Sequence, residues 1–235
     1  MGLLLHFKKS QMQSWGLFFQ HALDVWDLRK IVVLPLGHTG YGFAGNPFNL
    51  GAWQAIKAVS PALNPAQIYF MTNSYEIVEQ LVQISQRGIV TAKKWWPGDI
   101  AIVQPPQKKY SIEYKNKDYP LSKDICSQFT KIQILMPKEP IGQELLRYLD
   151  AHNLPPVILV YLPLTQDNQP YIDINNLMNE FNHESIAAYY DGGKLQKKPP
   201  FQSPTVVGLG EKAKIDIIHE GIVPPTELLG ETEDP

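Results

Sequence analysis

The chain of 235 residues has a single cysteine, Cys126. That excludes an intrachain disulfide and a cysteine-based metal cluster, and it is the usage expected of a cytoplasmic protein kept in reducing surroundings. No eighteen apolar residues run together, so no membrane-spanning helix is expected. Three leucines follow Met1 and Gly2, but Lys8 and Lys9 interrupt them before any small-residue cleavage site, so a secretory leader is not expected either. Positive charge is not in excess: 21 Lys and Arg stand against 23 Asp and Glu, for a net charge of −2. Nucleic-acid-binding domains usually carry the opposite balance, so any such activity must reside in a local patch. There is no internal repeat, no Gly-Lys-Ser/Thr to make a Walker A loop, and no His or Cys spacing that would hold a metal.

What remains is a chain long enough to bury most of its apolar surface in one domain. Apolar residues at Met12, Trp15, Phe18, Phe19, Ala22, Leu23 and Trp26 recur at helical spacing over residues 11–28. Ile31-Val-Val-Leu34 then reads as a strand buried on both faces. Asn49 caps a helix reaching Val59, Ile68–Met71 is a strand, and Ser74 opens one helix of about three turns ending at Arg87-Gly88. Further strands are expected at 100–103, 132–136, 157–160, 186–190, 205–209 and 215–218, with a helix starting at Pro140. This alternation predicts an α/β fold with a mixed sheet, a single domain over residues 1–226 and a frayed acidic tail at 227–235. Residues 105–124 and 194–204, rich in Lys and Pro, read as exposed loops.

Several stretches resemble, in order and spacing, the YrdC/YciO family with its threonylcarbamoyl-adenylate synthase fold. Pro35–Asn46, PLGHTGYGFAGN, is similar to that family's strand-end loop of Pro-Thr-Asp/Glu followed by Tyr-Gly. Trp95-Trp-Pro-Gly98 resembles its Trp-Pro-Gly turn, and Ile132–Leu146 its strand–Pro–helix segment. Asp191-Gly-Gly-Lys194, Ser203-Pro-Thr-Val-Val207 and Ile217–Gly221 resemble its late loop, strand and ending, and the Gly-Gly detail leans toward the YciO branch. The resemblance spans residues 20–225 and implies a twisted, open, mixed β-sheet flanked by helices.

It also implies a chemistry: synthases of the family make threonylcarbamoyl-AMP from ATP, threonine and bicarbonate for tRNA modification, which demands cations for a triphosphate and its pyrophosphate leaving group. Those cations are missing. The family's Lys-x-Arg and further Lys fall on Ser60–Ala66, which holds no basic residue; its fourth-strand Arg falls at Leu135 and its late Arg at His219. Its Ser-x-Asn falls at Tyr161-Leu-Pro163 and its Pro-Thr threonine at Leu36. At about 1.5–3 kcal/mol for each hydrogen bond to a charged group, losing three amounts to roughly 4.5 kcal/mol or more, about a thousandfold or more in affinity.

The ligand-binding candidates are therefore Thr39, Tyr41, Lys57, Lys194, Ser203, Thr205 and His219, with Lys57, Lys94 or Lys194 as replacement cations. Gly37–Gly42 is either an anion-cradling loop or a tight structural turn. Gly40-x-Gly42-x-x-Gly45 has the letters of a dinucleotide fingerprint, but no acidic residue lies between Asp27 and Glu76 to hold a ribose. His38 has no identifiable carboxylate to orient it as a base. Lys108, Lys109, Lys115 and Lys117, interleaved with Tyr110, Tyr114 and Tyr119, are the RNA-contact candidates, set against a plain solvated loop. No catalytic residue and no metal ligand is assigned. The first reading is a degenerate domain that binds RNA, double-stranded or tRNA, or a nucleotide-like ligand in a concave cleft. The alternative is a divergent nucleotide-using enzyme, which alone would require ATP and Mg. A third is a protein partner held by residues 105–124.

Overall fold

The computed structural model describes residues 5–8, 14–121, 125, 130–195, 203–210 and 214–229. Met12, Lys123, Cys126, Lys197, Lys198 and the tail beyond Leu229 lie outside them. The backbone is organised by short apolar runs. β2 (Ile31–Pro35), β4 (Ile68–Thr72), β5 (Ile100–Gln104), β8 (Ile132–Leu135), β9 (Val157–Tyr161), β10 (Ile186–Asp191), β11 (Thr205–Leu209) and β12 (Ile215–His219) fall where apolar, β-branched stretches predict strands. With β1 (Leu5–Lys8) and β3 (Tyr41–Gly45) they form one ten-stranded mixed sheet in the order β1-β10-β2-β3-β9-β4-β8-β5-β11-β12.

Central strands are buried on both faces because consecutive side chains enter two different cores. In β9, Val157, Leu159 and Tyr161 join one core, while Ile158 and Val160 join the other. The first core receives α2 (Leu50–Val59), α3 (Tyr75–Leu81), α4 (Gln86–Ala92) and α6 (Ile174–Glu180) through Trp53, Ile56, Ile77, Leu81, Ile89 and Leu177. The second receives α1 (Ser14–Asp24) and α5 (Pro140–Ala151) through Phe18, Phe19, Ile141, Leu145 and Leu149. Burying each such side chain contributes about 1.5–3 kcal/mol.

The fold departs from the sequence reading at four places. The single helix expected from Ser74 to Arg87 is two. Val82 turns extended and bridges to Pro106, and Ser85 caps α4 by accepting from the Gly88 N–H, which puts Gly88 inside a first turn instead of at a stop. Residues 105–124 contain a β-hairpin, β6 (Ser111–Tyr114) and β7 (Lys117–Pro120), turned at Lys115 and Asn116 with positive φ. Ile112 and Leu121 anchor it in the first core, so it is not a loop in solvent. Glu227–Leu229, read as frayed tail, closes α7 (Pro225–Leu229), and Leu228 is buried. The glycine-rich segment is mostly strand, β3, with only Leu36–Gly40 as its entry turn. A helix does not follow Gly45 directly, so the dinucleotide-fingerprint reading fails.

The C-terminal segment is tied to β11 by a buried hydroxyl as well as by the packing of Ile222 and Leu228. Thr205 Oγ1 donates to the Val223 carbonyl at 2.7 Å and accepts from the N–H groups of Gly221 and Val223 at 3.1 and 3.0 Å. Thr205→Val strands those buried groups and should cost about 1–3 kcal/mol in urea unfolding, whereas Thr205→Ser should stay near wild type.

Candidate functional site in a cleft on the second face

A cleft of about 760 Å³ opens where Tyr69, Val103, Leu162 and Val206, all members of the second core, are not roofed by α1 or α5. Its rim is made by the turn Asn64–Gln67 before β4, by Thr130, Lys131 and Gln133 at the start of β8, by the Asn168–Pro170 loop, and by Ser203 with Ile218–Glu220. A smaller pocket of about 440 Å³ lies at the ends of β4 and β8, beside the start of α5, and Thr39 lines both.

Of the residues singled out from the sequence, Thr39, Ser203 and His219 meet in the large cleft. Ser203 Oγ and His219 Nε2 are 2.9 Å apart. Thr39 is committed to the turn: its hydroxyl donates to the Leu36 carbonyl at 2.6 Å. Gly40 is required there, since its φ is +88° and a Cβ would lie 2.7 Å from Pro170 Cβ.

The other candidates stand elsewhere. Tyr41 is fully buried; its hydroxyl donates to the Gly193 carbonyl at 2.7 Å and accepts from the Gly192 N–H at 2.9 Å. Burial first, and the nearby Asp191 carboxylate second, push that phenol far above its ordinary range, so it stays a neutral tie between β3 and the Gly-Gly loop. Thr205 is consumed by the latch. Lys57 is exposed over the Trp53 ring, 5.4 Å from its centroid, and Lys94 and Lys194 are likewise exposed; none of the three lines either cavity.

The RNA-contact lysines divide too. Lys115 bonds Asp150 at 2.7 Å and Asn153, beside a Tyr114–Asp150 hydrogen bond, so the hairpin docks on the end of α5. Lys109 pairs with Asp118 at 3.2 Å. Lys108 and Lys117 are exposed.

Sequence reasoning missed Tyr69, Lys131 and Gln133. Tyr69 was hidden in an apolar run, and Lys131 stands just before a strand in an unremarkable context. It also found no carboxylate for His38, yet Asp99 and Glu139 line the smaller pocket with it, together with Lys138. Where the resemblance implies cations and a Ser-x-Asn, the chain bonds internally: Ser60 Oγ lies 3.0 Å from the buried Tyr161 hydroxyl. The chain has three arginines, Arg29, Arg87 and Arg147, and none lines either cavity. Lys131 is thus the only lysine or arginine among the described lining residues of the large cleft.

A family model for Sua5, YciO and YrdC, described under telomere recombination, matches residues 25–221. The chain belongs to the Sua5/YciO/YrdC family. Its fold is that of this family: E. coli YciO superposes with a TM-score of 0.72 at 17% identity, over 97% of this chain and 99% of YciO. A doubly substituted variant of P. abyssi Sua5 gives 0.75 at 18% identity over 97% of this chain, which spans only 60% of that Sua5. Full-length HypF, solved in a phosphate- and nucleotide-bound form, gives 0.61 at 14% identity over 87% of this chain and 28% of HypF. No curated protein matches the chain by sequence. No helix among the described residues of this Sua5/YciO/YrdC member is long and apolar enough to cross a membrane, and no cluster of metal-ligating side chains occurs among them.

Two measurements check these placements. Tyr41→Phe removes a tie to two backbone groups and should lower stability by about 1–3 kcal/mol without touching the cleft, read by chemical denaturation. Asp150 is held below the usual carboxylate range by Lys115 first and Tyr114 second. A depressed folded-state value means that its contribution is complete above the unfolded value and is lost as pH falls through the folded one. The protection factor of the Ile112 amide, corrected for its intrinsic exchange rate, should therefore fall in acid, and Asp150→Asn should abolish that fall.

Proposed function

We propose that this chain is a binding member of the family, which holds a nucleotide-like ligand, free or as part of an RNA such as tRNA or a duplex, in the 760 Å³ cleft without making threonylcarbamoyl-AMP. The observation that carries the reading is the charge of the lining. One lysine, one histidine and one glutamate face a site where a triphosphate would need several fixed cations. The apolar floor and amide-bearing rim suit a nucleoside, and Lys131 with His219 and Ser203 suits a single phosphate. The nucleotide-bound HypF neighbour supports the ligand class.

A second reading, a nucleotide-using enzyme related to L-threonylcarbamoyladenylate synthase and requiring ATP and Mg, is favoured by Lys131 and Lys138, cations that line the two cavities. The lining fits a triphosphate poorly, because only one of these lysines reaches the large cleft. A protein partner at the hairpin is a weaker reading, since docking on α5 occupies Tyr114 and Lys115. A cytoplasmic site of action is part of the proposal.

The test pairs binding with turnover. Thermal shift with AMP, ATP, threonine and short duplex RNA should give stabilisation by AMP or RNA at concentrations above the dissociation constant. Lys131→Ala should weaken AMP by about tenfold while Lys57→Ala and Lys194→Ala leave it unchanged. ATP, threonine and bicarbonate should release no pyrophosphate. Steady release that depends on Lys131 or Lys138 would establish the enzyme instead.

A further inference from the structure

The floor of the cleft holds a polar pair, of which the fold uses only the amide NH₂ of one member. β4 and β8 run parallel with Phe70 opposite Ile134 and Met71 opposite Leu135, so one residue earlier Tyr69 and Gln133 stand side by side. β5 continues the row, with Val103 opposite Gln133. All three line the cleft.

Gln133 is oriented without ambiguity. Its Nε2 lies 3.0 Å from the Ala66 carbonyl and 3.2 Å from the Ile68 carbonyl, both pure acceptors. The atom facing them must be the NH₂, which leaves the amide oxygen as an acceptor with no partner among the described residues. Tyr69 is 3% exposed, yet its hydroxyl makes no hydrogen bond to any described residue. Burial alone holds the phenol far above its ordinary range, so it is a donor at every working pH. Its oxygen is not among the sealed side-chain atoms that lack a partner, so it opens on the cleft, where a ligand atom can meet it. Tyr69 belongs to the second core and lines the cleft. The flanking lining, Val103, Leu162 and Val206, is apolar, so a flat neutral ring is accommodated better there than an anion.

We infer that Tyr69 and Gln133 form the specificity subsite of the cleft, the Tyr69 hydroxyl donating to an acceptor and the Gln133 amide oxygen accepting from an adjacent donor on the edge of a planar nucleobase. Neighbouring strands are spaced about 4.8 Å apart, and long side chains converging from them are suited to an amide- or amidine-like edge, in which donor and acceptor are adjacent. The inference rests on the proposed nucleotide-type ligand and adds the part of it that is read. The phosphate end is placed at Lys131, two residues before Gln133 on the rim of the same cleft.

Isothermal titration calorimetry on the full chain separates the two. Adenosine, uridine and AMP are compared with N6,N6-dimethyladenosine and 3-methyluridine, which lack the donor, and with ribose 5-phosphate, which lacks the base. The wild type should bind at least one nucleoside and lose about tenfold or more on its methylated analogue. Tyr69→Phe should lose a similar factor for nucleoside and AMP alike, keep its affinity for ribose 5-phosphate, and melt at or above the wild-type temperature because an unpartnered hydroxyl is gone. Lys131→Ala should do the reverse, weakening AMP and ribose 5-phosphate but not the nucleoside. Nucleoside binding that ignores both the methyl groups and Tyr69→Phe would overturn the subsite while leaving the nucleotide reading in place. So would a melting temperature lowered by several degrees in Tyr69→Phe, which would reveal a structural partner. Failure of the wild type to bind any nucleoside or AMP would overturn the functional reading and the subsite with it.

Discussion

A strand covered on both sides has no freedom of register, because a slip of one residue would exchange the contents of two cores. The central strands of this sheet work under that constraint. In β4, Ile68 and Phe70 belong to the first core and Tyr69 and Met71 to the second; in β8, Ile132 and Ile134 belong to the first and Leu135 to the second. The position of every residue on the cleft floor follows. Tyr69 and Gln133 are neighbours because the register on either side of them is held by apolar side chains that cannot move, and the site inherits its rigidity from the packing beneath it.

The parts of the molecule legible from sequence are those where one physical signal dominates. Continuous β-branched runs located β2, β4, β9 and β11, and the caps Asn49 and Ser74 located the starts of α2 and α3 because their side chains accept from backbone N–H groups there. Elsewhere tertiary contacts decided. Tyr41–Gly45 carries glycines that suggest a loop, yet it is paired on both sides, with β2 and β9, and the small residues are what such close neighbours require: a Cβ on Gly45 would lie 2.8 Å from Ala52 Cβ. The hairpin β6–β7 reads as a solvated Lys/Tyr stretch until its one decisive residue, Ile112, is seen to be sealed in the first core.

The site was half legible for a related reason. Family resemblance pointed to positions expected to meet a ligand, and at several of them this chain has satisfied its polar groups from within. Ser60 meets Tyr161, Tyr41 meets the Gly-Gly loop, and Thr205 meets the C-terminal segment. Polar residues of this kind look alike in a sequence whether they bind a ligand or the chain itself. Tyr69 presents the opposite case, a polar group in an apolar run whose place on the cleft lining becomes visible only when the fold is assembled.

The start of α5 shows how far such self-satisfaction extends. Glu139 precedes Pro140 and accepts from the Gly142 N–H at 3.0 Å, so the positive end of this helix dipole already carries a resident carboxylate. A phosphate arriving in the smaller pocket would meet a competitor tethered to the same backbone, present at an effective concentration no free ion can match. That helix end is thereby taken by an occupant the chain supplies itself, and an anion in the smaller pocket would have to be met by Lys138 instead.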